Sequence, residues 1–173
     1  MKHIITKTLL IILILSSSLA NAQLNKKKKS KKDTHNFRYE IECVGVNDAG
    51  SVNIKVFSYS KKPKIAIEAA KRNAVHAIIF KGFPRGKCQK KAPLARNPNL
   101  ENEQKEFFKE FFADGGKYQK FVTTSTDGAI EGGDISKVSK KEYKIGINIT
   151  VNRLGIQKDL KAAKIIQDLG SRF

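Results

Sequence analysis

Beyond residue 22 this chain has two histidines, His35 and His76, and two cysteines, Cys43 and Cys88. That scarcity excludes much chemistry. Zinc sites gather cysteine and histidine at short, fixed spacings, and no such spacing occurs. Neither cysteine belongs to a C-x-x-C pair, the arrangement that lowers a thiol pKa for redox exchange. No glycine-rich phosphate loop is present, and no internal repeat. After the first residues no apolar run approaches the roughly 20 residues that cross a bilayer. The acids Asp114, Asp127, Glu131 and Asp134 sit in glycine-rich stretches without the spacing of an EF-hand loop. The sequence therefore asks for no metal and no cofactor. His35 borders a lysine-rich stretch, and His76 falls on the polar flank of a helix near Arg72. A lone histidine there reads as solvated, and its sequence neighbours supply no nucleophile–base–orienter set. Glu40 and Glu42 share the polar face of a strand. Two carboxylates can do acid–base work, but among so many lysines and arginines they read as solvated partners of a basic surface.

What the chain does have begins at its start. Lys2 and Lys7 precede an unbroken apolar run, Leu9 to Leu15. Ser16, Ser17 and Ser18 end that run, and Ala20-Asn21-Ala22 is a small-x-small cleavage pattern. This is the order of a secretory signal peptide, so residues 1–22 are expected to be removed and the exported chain to start at Gln23. The apolar run is too short to span a bilayer, which needs about 20 residues. An address in the periplasm or at the cell surface follows.

The second abundant feature is positive charge. The chain carries 34 Lys+Arg against 16 Asp+Glu. Loss of Lys2 and Lys7 leaves 32 − 16, or +16. Lys26, Lys27, Lys28, Lys29, Lys31 and Lys32 crowd into one short block. Such a block repels itself and buries nothing, so residues 23–36 are expected to be a disordered segment. It reads either as a solvated linker or as a tether to a polyanion. For an exported protein, lipid headgroups and acidic glycans rank ahead of nucleic acid. In an oxidising compartment Cys43 and Cys88 suggest a disulfide; two buried thiols are the alternative. A bond would close a loop of about 45 residues and contribute on the order of 4 kcal/mol in the chain-entropy picture.

Residues 37–173 read as a single α+β domain. Phe37, Tyr39, Ile41 and Cys43 alternate with Arg38, Glu40 and Glu42, the period of a half-buried strand. The cluster at 47–50 is a turn, and Val52, Ile54 and Val56 alternate on the returning strand. Pro63 opens a helix whose apolar arc is Ala66, Ile67, Ala70, Ala74, Ala77 and Ile78; Gly82 ends it. Residues 82–98 form a long basic loop with Arg85, Lys87, Lys90, Lys91 and Arg96, and loops of that length are usually functional or disordered. A helix at about 100–113 carries Phe107, Phe108, Phe111 and Phe112 on one face. These four are expected in the core, against the sheet side bearing Ile145, Ile147 and Ile149. Tyr118 to Thr124 reads as a third strand, 125–136 as a mobile loop, and 143–151 as the cleanest strand. A terminal helix presents Ile156, Leu160, Ala163, Ile166 and Leu169. The order ββααββα predicts a four-stranded, mainly antiparallel sheet with helices packed on one face.

Three stretches together carry a family resemblance: AIEAAKRNAVHAIIFKG at Ala66–Gly82, FF-x-x-GG-x-Tyr-x-x-Phe-Val at Phe111–Val122, and the strand YKIGINITVN. They resemble the family that groups small outer-membrane lipoproteins with the N-terminal domain of flagellar assembly protein T. The resemblance implies an Ala-rich helix on a sheet and a role in assembly rather than catalysis. It carries over no functional residue, and the lipidated cysteine of the lipoproteins has no counterpart here. The expected function is an exported, non-enzymatic envelope assembly or binding module. Its partners would be envelope proteins or anionic lipid or glycan surfaces, met by Lys26–Lys32 and the 85–96 loop. The alternative is an exported enzyme or inhibitor whose site is built from the 82–98 and 125–136 loops.

Overall fold

Alternation along the strands dictates the sheet. The computed structural model describes residues 37–46, 50–83, 88–89, 91–124 and 134–167. Strand β1 (Tyr39–Val46) and strand β2 (Ser51–Ser60) form the expected antiparallel hairpin, with a bulge between Cys43 and Gly45. Along β2 every second residue is buried: Val52, Ile54, Val56 and Ser58 point inward, Asn53, Lys55, Phe57 and Tyr59 outward. Strand β5 (Glu142–Asn152) pairs antiparallel with all of β2, from Ser51 opposite Asn152 to Ser60 opposite Tyr143. The far edge of β5 carries two short strands. Strand β3 (Val122–Thr124) pairs near its end, and β4 (Ile135–Ser139) near its start. The α+β class and the antiparallel sheet are as expected, but the sheet has five strands.

The added strand is β4, whose residues the sequence assigns partly to a mobile loop. Residues 125–133 of that loop lie outside the described residues. The segment expected as a strand from Tyr118 is instead a 3₁₀ turn, Lys117–Phe121, followed by the short β3. The turn sinks Tyr118 into the core at 1% exposure.

Helix α1 (Pro63–His76) crosses the inner face of β2 and β5. Ala66, Ala70 and Ala74 are fully buried there, and their small side chains let the backbone approach the strands. The helix then widens into a π-helical turn, Ala77–Lys81. Such turns free backbone groups from the regular ladder. The 82–98 loop takes up two of them: Leu94 N–H donates to the Ile78 carbonyl at 3.2 Å and Ala95 N–H to that of Ile79 at 2.8 Å. Gly82 ends the turn at φ 67°, where a Cβ would lie 2.2 Å from the Lys91 carbonyl oxygen. Only glycine fits that approach.

The phenylalanine helix is broken in two. Helix α2 (Leu100–Glu103) and helix α3 (Lys105–Phe111) meet at Gln104, which leaves helical geometry. Phe108, Phe111 and Phe112 are buried and Phe107 is half-buried, so the stripe is core, as expected. Its rings meet Phe80 at 4.9 Å, Phe37 at 5.5 Å, Tyr118 at 6.1 Å and Phe121 at 6.2 Å. Ile145, Ile147 and Ile149 belong to the same core. Helix α4 (Arg153–Ala162) starts on the Asn152 side chain, which accepts the Gly155 N–H at 2.7 Å. It stops earlier than the sequence suggests. Lys164 turns left-handed at φ 58°, and Ile165 N–H closes back on the Leu160 carbonyl at 2.9 Å. Ile166 therefore packs from beyond the helix end.

Cys43 and Cys88 are joined by a disulfide with a Cα–Cα distance of 5.8 Å. It ties the 82–98 loop to β1.

On the outer face of the sheet, the Phe57 ring lies over Gly146. A Cβ at residue 146 would stand 2.9 Å from the nearest ring carbon. Gly146→Ala must push that ring aside, and relief of the crowding is expected to cost about 1 kcal/mol net of the better strand propensity of alanine. Urea unfolding of the variant measures it. No loss would mean that Phe57 has room to move at no cost.

Candidate functional site

Two polar constellations stand out, one inside the domain and one on its surface. The inner one centres on His76. Its Nδ1 lies 2.7 Å from the Tyr39 hydroxyl and its Nε2 lies 3.3 Å from Glu101 Oε2. A carboxylate accepts only, so Nε2 carries the proton toward Glu101 and Nδ1 accepts from Tyr39. Phe37 stacks on the imidazole at 3.6 Å, with Phe80 and Phe112 close by. Burial pushes the His76 pKa down to about 3, with the charge of Lys81 acting in the same direction. Burial raises Glu101, and raises Tyr39 well above the ordinary phenol value.

This corrects the reading of His76 as a solvated residue: it is 4% exposed. Arg72, assigned to the same polar flank, is 3% exposed. Arg72 donates to Asp114 at 3.0 Å, and its guanidinium lies 5.6 Å from the centre of the Tyr118 ring. The flank is polar in composition but faces the phenylalanine layer. Partners on other elements make burial possible there.

The chain Tyr39–His76–Glu101 has the connectivity of a nucleophile, a base and an orienter. Its chemistry is different. The Tyr39 hydroxyl is directed into the core and held protonated, so it presents no nucleophile to solvent. The three side chains join β1, α1 and α2, and they act as a polar tie within the fold.

The surface constellation lies on the outer face of the sheet. Tyr59 O–H donates to Glu40 Oε1 at 2.6 Å, and Lys144 donates to Glu40 Oε2 at 2.7 Å. The Lys144 hydrogen bond, then that of Tyr59, holds the Glu40 carboxyl below its ordinary range. Arg38 sits 4.1 Å over the Tyr59 ring and reaches Glu142 at 3.3 Å. Lys144 lies 4.7 Å from the Phe57 ring centre, and Lys55 pairs with Asp134 at 2.7 Å. Thr150 donates to Asn53 at 2.8 Å. Glu40 is thus the partner of a basic surface, as its sequence context suggests, and Glu42 is exposed beside it.

Comparison of the chain with protein-family models, with curated proteins and with solved structures found no match. Lys26, Lys27, Lys28, Lys29, Lys31 and Lys32 lie outside the described residues, as do Arg85, Lys87 and Lys90. Lys91 and Arg96 are exposed. Of the loop acids, Asp114 and Asp134 are bound to Arg72 and Lys55, while Asp127 and Glu131 lie outside the described residues. Among the described residues no group of acids, histidines and cysteines could hold a metal. No helix there is long and apolar enough to cross a membrane.

The sequence reading missed a second gathering of cations. Ser60 and Lys137 both stand opposite Tyr143, on either side of β5. Lys61 and Lys62, which follow β2, therefore come to the same end of the sheet as Lys140 and Lys141, which join β4 to β5. The Lys-Lys pairs are visible in the sequence; the strand register that unites them is not.

Proposed function

We propose that this chain is an exported, non-enzymatic envelope module that binds anionic surfaces. The observation that carries the reading is the contrast between the two constellations. The histidine cluster with catalytic connectivity ties elements together, with Tyr39 and His76 buried and Glu101 reaching partly to the surface. The outer face of the sheet and the ends of its strands display cations and half-exposed aromatic rings. The enzyme alternative loses its best base, since His76 is buried and both of its ring nitrogens face Tyr39 and Glu101. The disulfide supports an oxidising compartment, because such bonds are rare in reducing ones. The resemblance to the lipoprotein and flagellar assembly protein T family supplies the expectation of an assembly partner in the envelope.

The attraction is electrostatic, carried by Lys26–Lys32 and the 85–96 loop. It must weaken as salt shortens the Debye length from about 10 Å at 0.1 M to about 3 Å at 1 M. Co-sedimentation of the exported chain with anionic and neutral vesicles across a salt series tests it. The expected result is binding to anionic vesicles alone, lost at high salt and reduced by removing residues 23–34. Equal sedimentation with both vesicle types would sink the reading. N-terminal sequencing of the exported protein should begin at Gln23.

A further inference from the structure

The cations at the end of the sheet have no counterpart in the sequence-derived surface, and their setting is specific. The β4–β5 turn is Lys140-Lys141. Just before it, a bulge between Lys137 and Ser139 interrupts the pairing. Val138 sits in that bulge and is 49% exposed. A bulge re-aims the side chain it carries, and here it leaves an apolar group out of the sheet with Lys137 on one side and Lys140-Lys141 on the other. The nearest carboxylates are already engaged: Glu142 with Arg38 and Glu40 with Lys144. Lys62, Lys137, Lys140 and Lys141 have no acidic partner among the described residues. Tyr59 and Tyr143 are half-exposed at the same end.

We infer that this end of the sheet docks on an anionic lipid bilayer, with Val138 entering the headgroup region and Lys62, Lys137, Lys140 and Lys141 meeting lipid phosphates. The inference rests on the reading of the protein as an anionic-surface binder, and it assigns the contact to folded residues. The apolar tip selects the partner class. A polyanionic chain offers Val138 nothing, whereas a bilayer interface accepts an apolar side chain flanked by cations. Tyrosine rings suit the same depth, apolar at one end and polar at the other. Lysines on an edge strand also serve to block strand pairing between molecules. That role requires neither the exposed Val138 nor the lysine pair in the turn.

The chain has no tryptophan, so Val138→Trp places a single indole reporter at the tip. With vesicles of phosphatidylglycerol and phosphatidylcholine its emission should shift to the blue. It should stay unshifted with phosphatidylcholine alone, and the shift should persist when residues 23–34 are removed. Replacing Lys140 and Lys141 together by serine should weaken partitioning about thirtyfold, at roughly 1 kcal/mol per lysine near an anionic surface. Both sites are exposed, and circular dichroism melting verifies that the variants fold. An unshifted indole, or unchanged partitioning of the double serine variant, overturns the assignment. So does binding to a sulfated polysaccharide that the double variant loses while its vesicle binding stays intact. If the unaltered chain binds no anionic vesicle, the proposed function itself falls. If it binds and the variants bind equally well, only this assignment falls.

Discussion

Replacing Cys43 and Cys88 together by serine is expected to cost the domain about 4 kcal/mol, the chain-entropy value for a closed loop of about 45 residues. The two sulfurs join residues 45 positions apart, and both cysteines are buried, at 4% and 9% exposure. Loss of the bond frees the unfolded chain to explore more conformations while the folded contacts stay in place. The loop it closes holds α1 and the π-helical turn, so the gain in unfolded entropy spans a central part of the core. For a domain of this size the loss should lower the melting temperature by about 12 °C. Thermal and urea unfolding of the oxidised protein, the reduced protein and the double serine variant measure the effect. The last two should agree, since both lack the same constraint. A drop below about 1 kcal/mol would mean that the 82–98 loop is held by its backbone bonds alone. Those bonds, from Leu94 and Ala95 to the π-helical turn, are the competing account. A domain that depends on this bond gains its full stability only in an oxidising compartment, which links the prediction to export.

How much of this was legible beforehand depends on burial. Tyr143 to Val151 alternates cleanly because one side of β5 lies on the core, and burial on one face imposes period two. Ile135 to Ser139 forms a strand with every residue exposed, so nothing stamps a period on it. The phenylalanine stripe is legible because its spacing is helical. The break at Gln104 is not, because no glycine or proline between residues 99 and 114 marks it. Helix α4 ends at a lysine in left-handed geometry, without the glycine that announces such an end. His76 and Arg72 show the largest failure. A helical wheel sorts residues by polarity, and these two are polar. Each nevertheless has a partner far away in sequence, Tyr39 and Asp114, and no local window contains that information. The cation gathering at the sheet end fails for a related reason, since strand register places Lys137 beside Tyr143 and Ser60.

The burial of His76 makes stability depend on pH in a window that can be named. An unfolded histidine has a pKa near 6.5, and in the fold burial lowers that of His76 to about 3. A depressed folded pKa means that the stabilisation is complete above 6.5 and is lost as pH falls toward 3, because the unfolded state takes up the proton first. The loss from this residue should reach about 2 kcal/mol at pH 5 and about 4 kcal/mol at pH 3. The groups facing the ring modify that course. Lys81 acts with burial to lower His76. Glu101 has a raised pKa, so it works in the opposite sense and gains stability as pH falls through the range above 4.5. Glu101→Gln keeps an acceptor for Nε2–H and removes that offset, so its acid limb should be steeper than that of the unaltered protein. Glu40, with a lowered pKa, contributes its own loss only below 4.5, so among these groups pH 5 to 7 belongs to His76 and the opposing Glu101. Tyr39 stays protonated throughout, so Tyr39→Phe should cost about 1 kcal/mol equally at pH 5 and pH 7. His76→Phe strands two partners and should be less stable than the unaltered protein at pH 7 by about 2 kcal/mol, with little further loss down to pH 5. Urea unfolding of the four proteins at half-unit steps from pH 5 to 7 separates these effects. An acid limb in His76→Phe as steep as in the unaltered protein would place the titrating group elsewhere and remove His76 as its source.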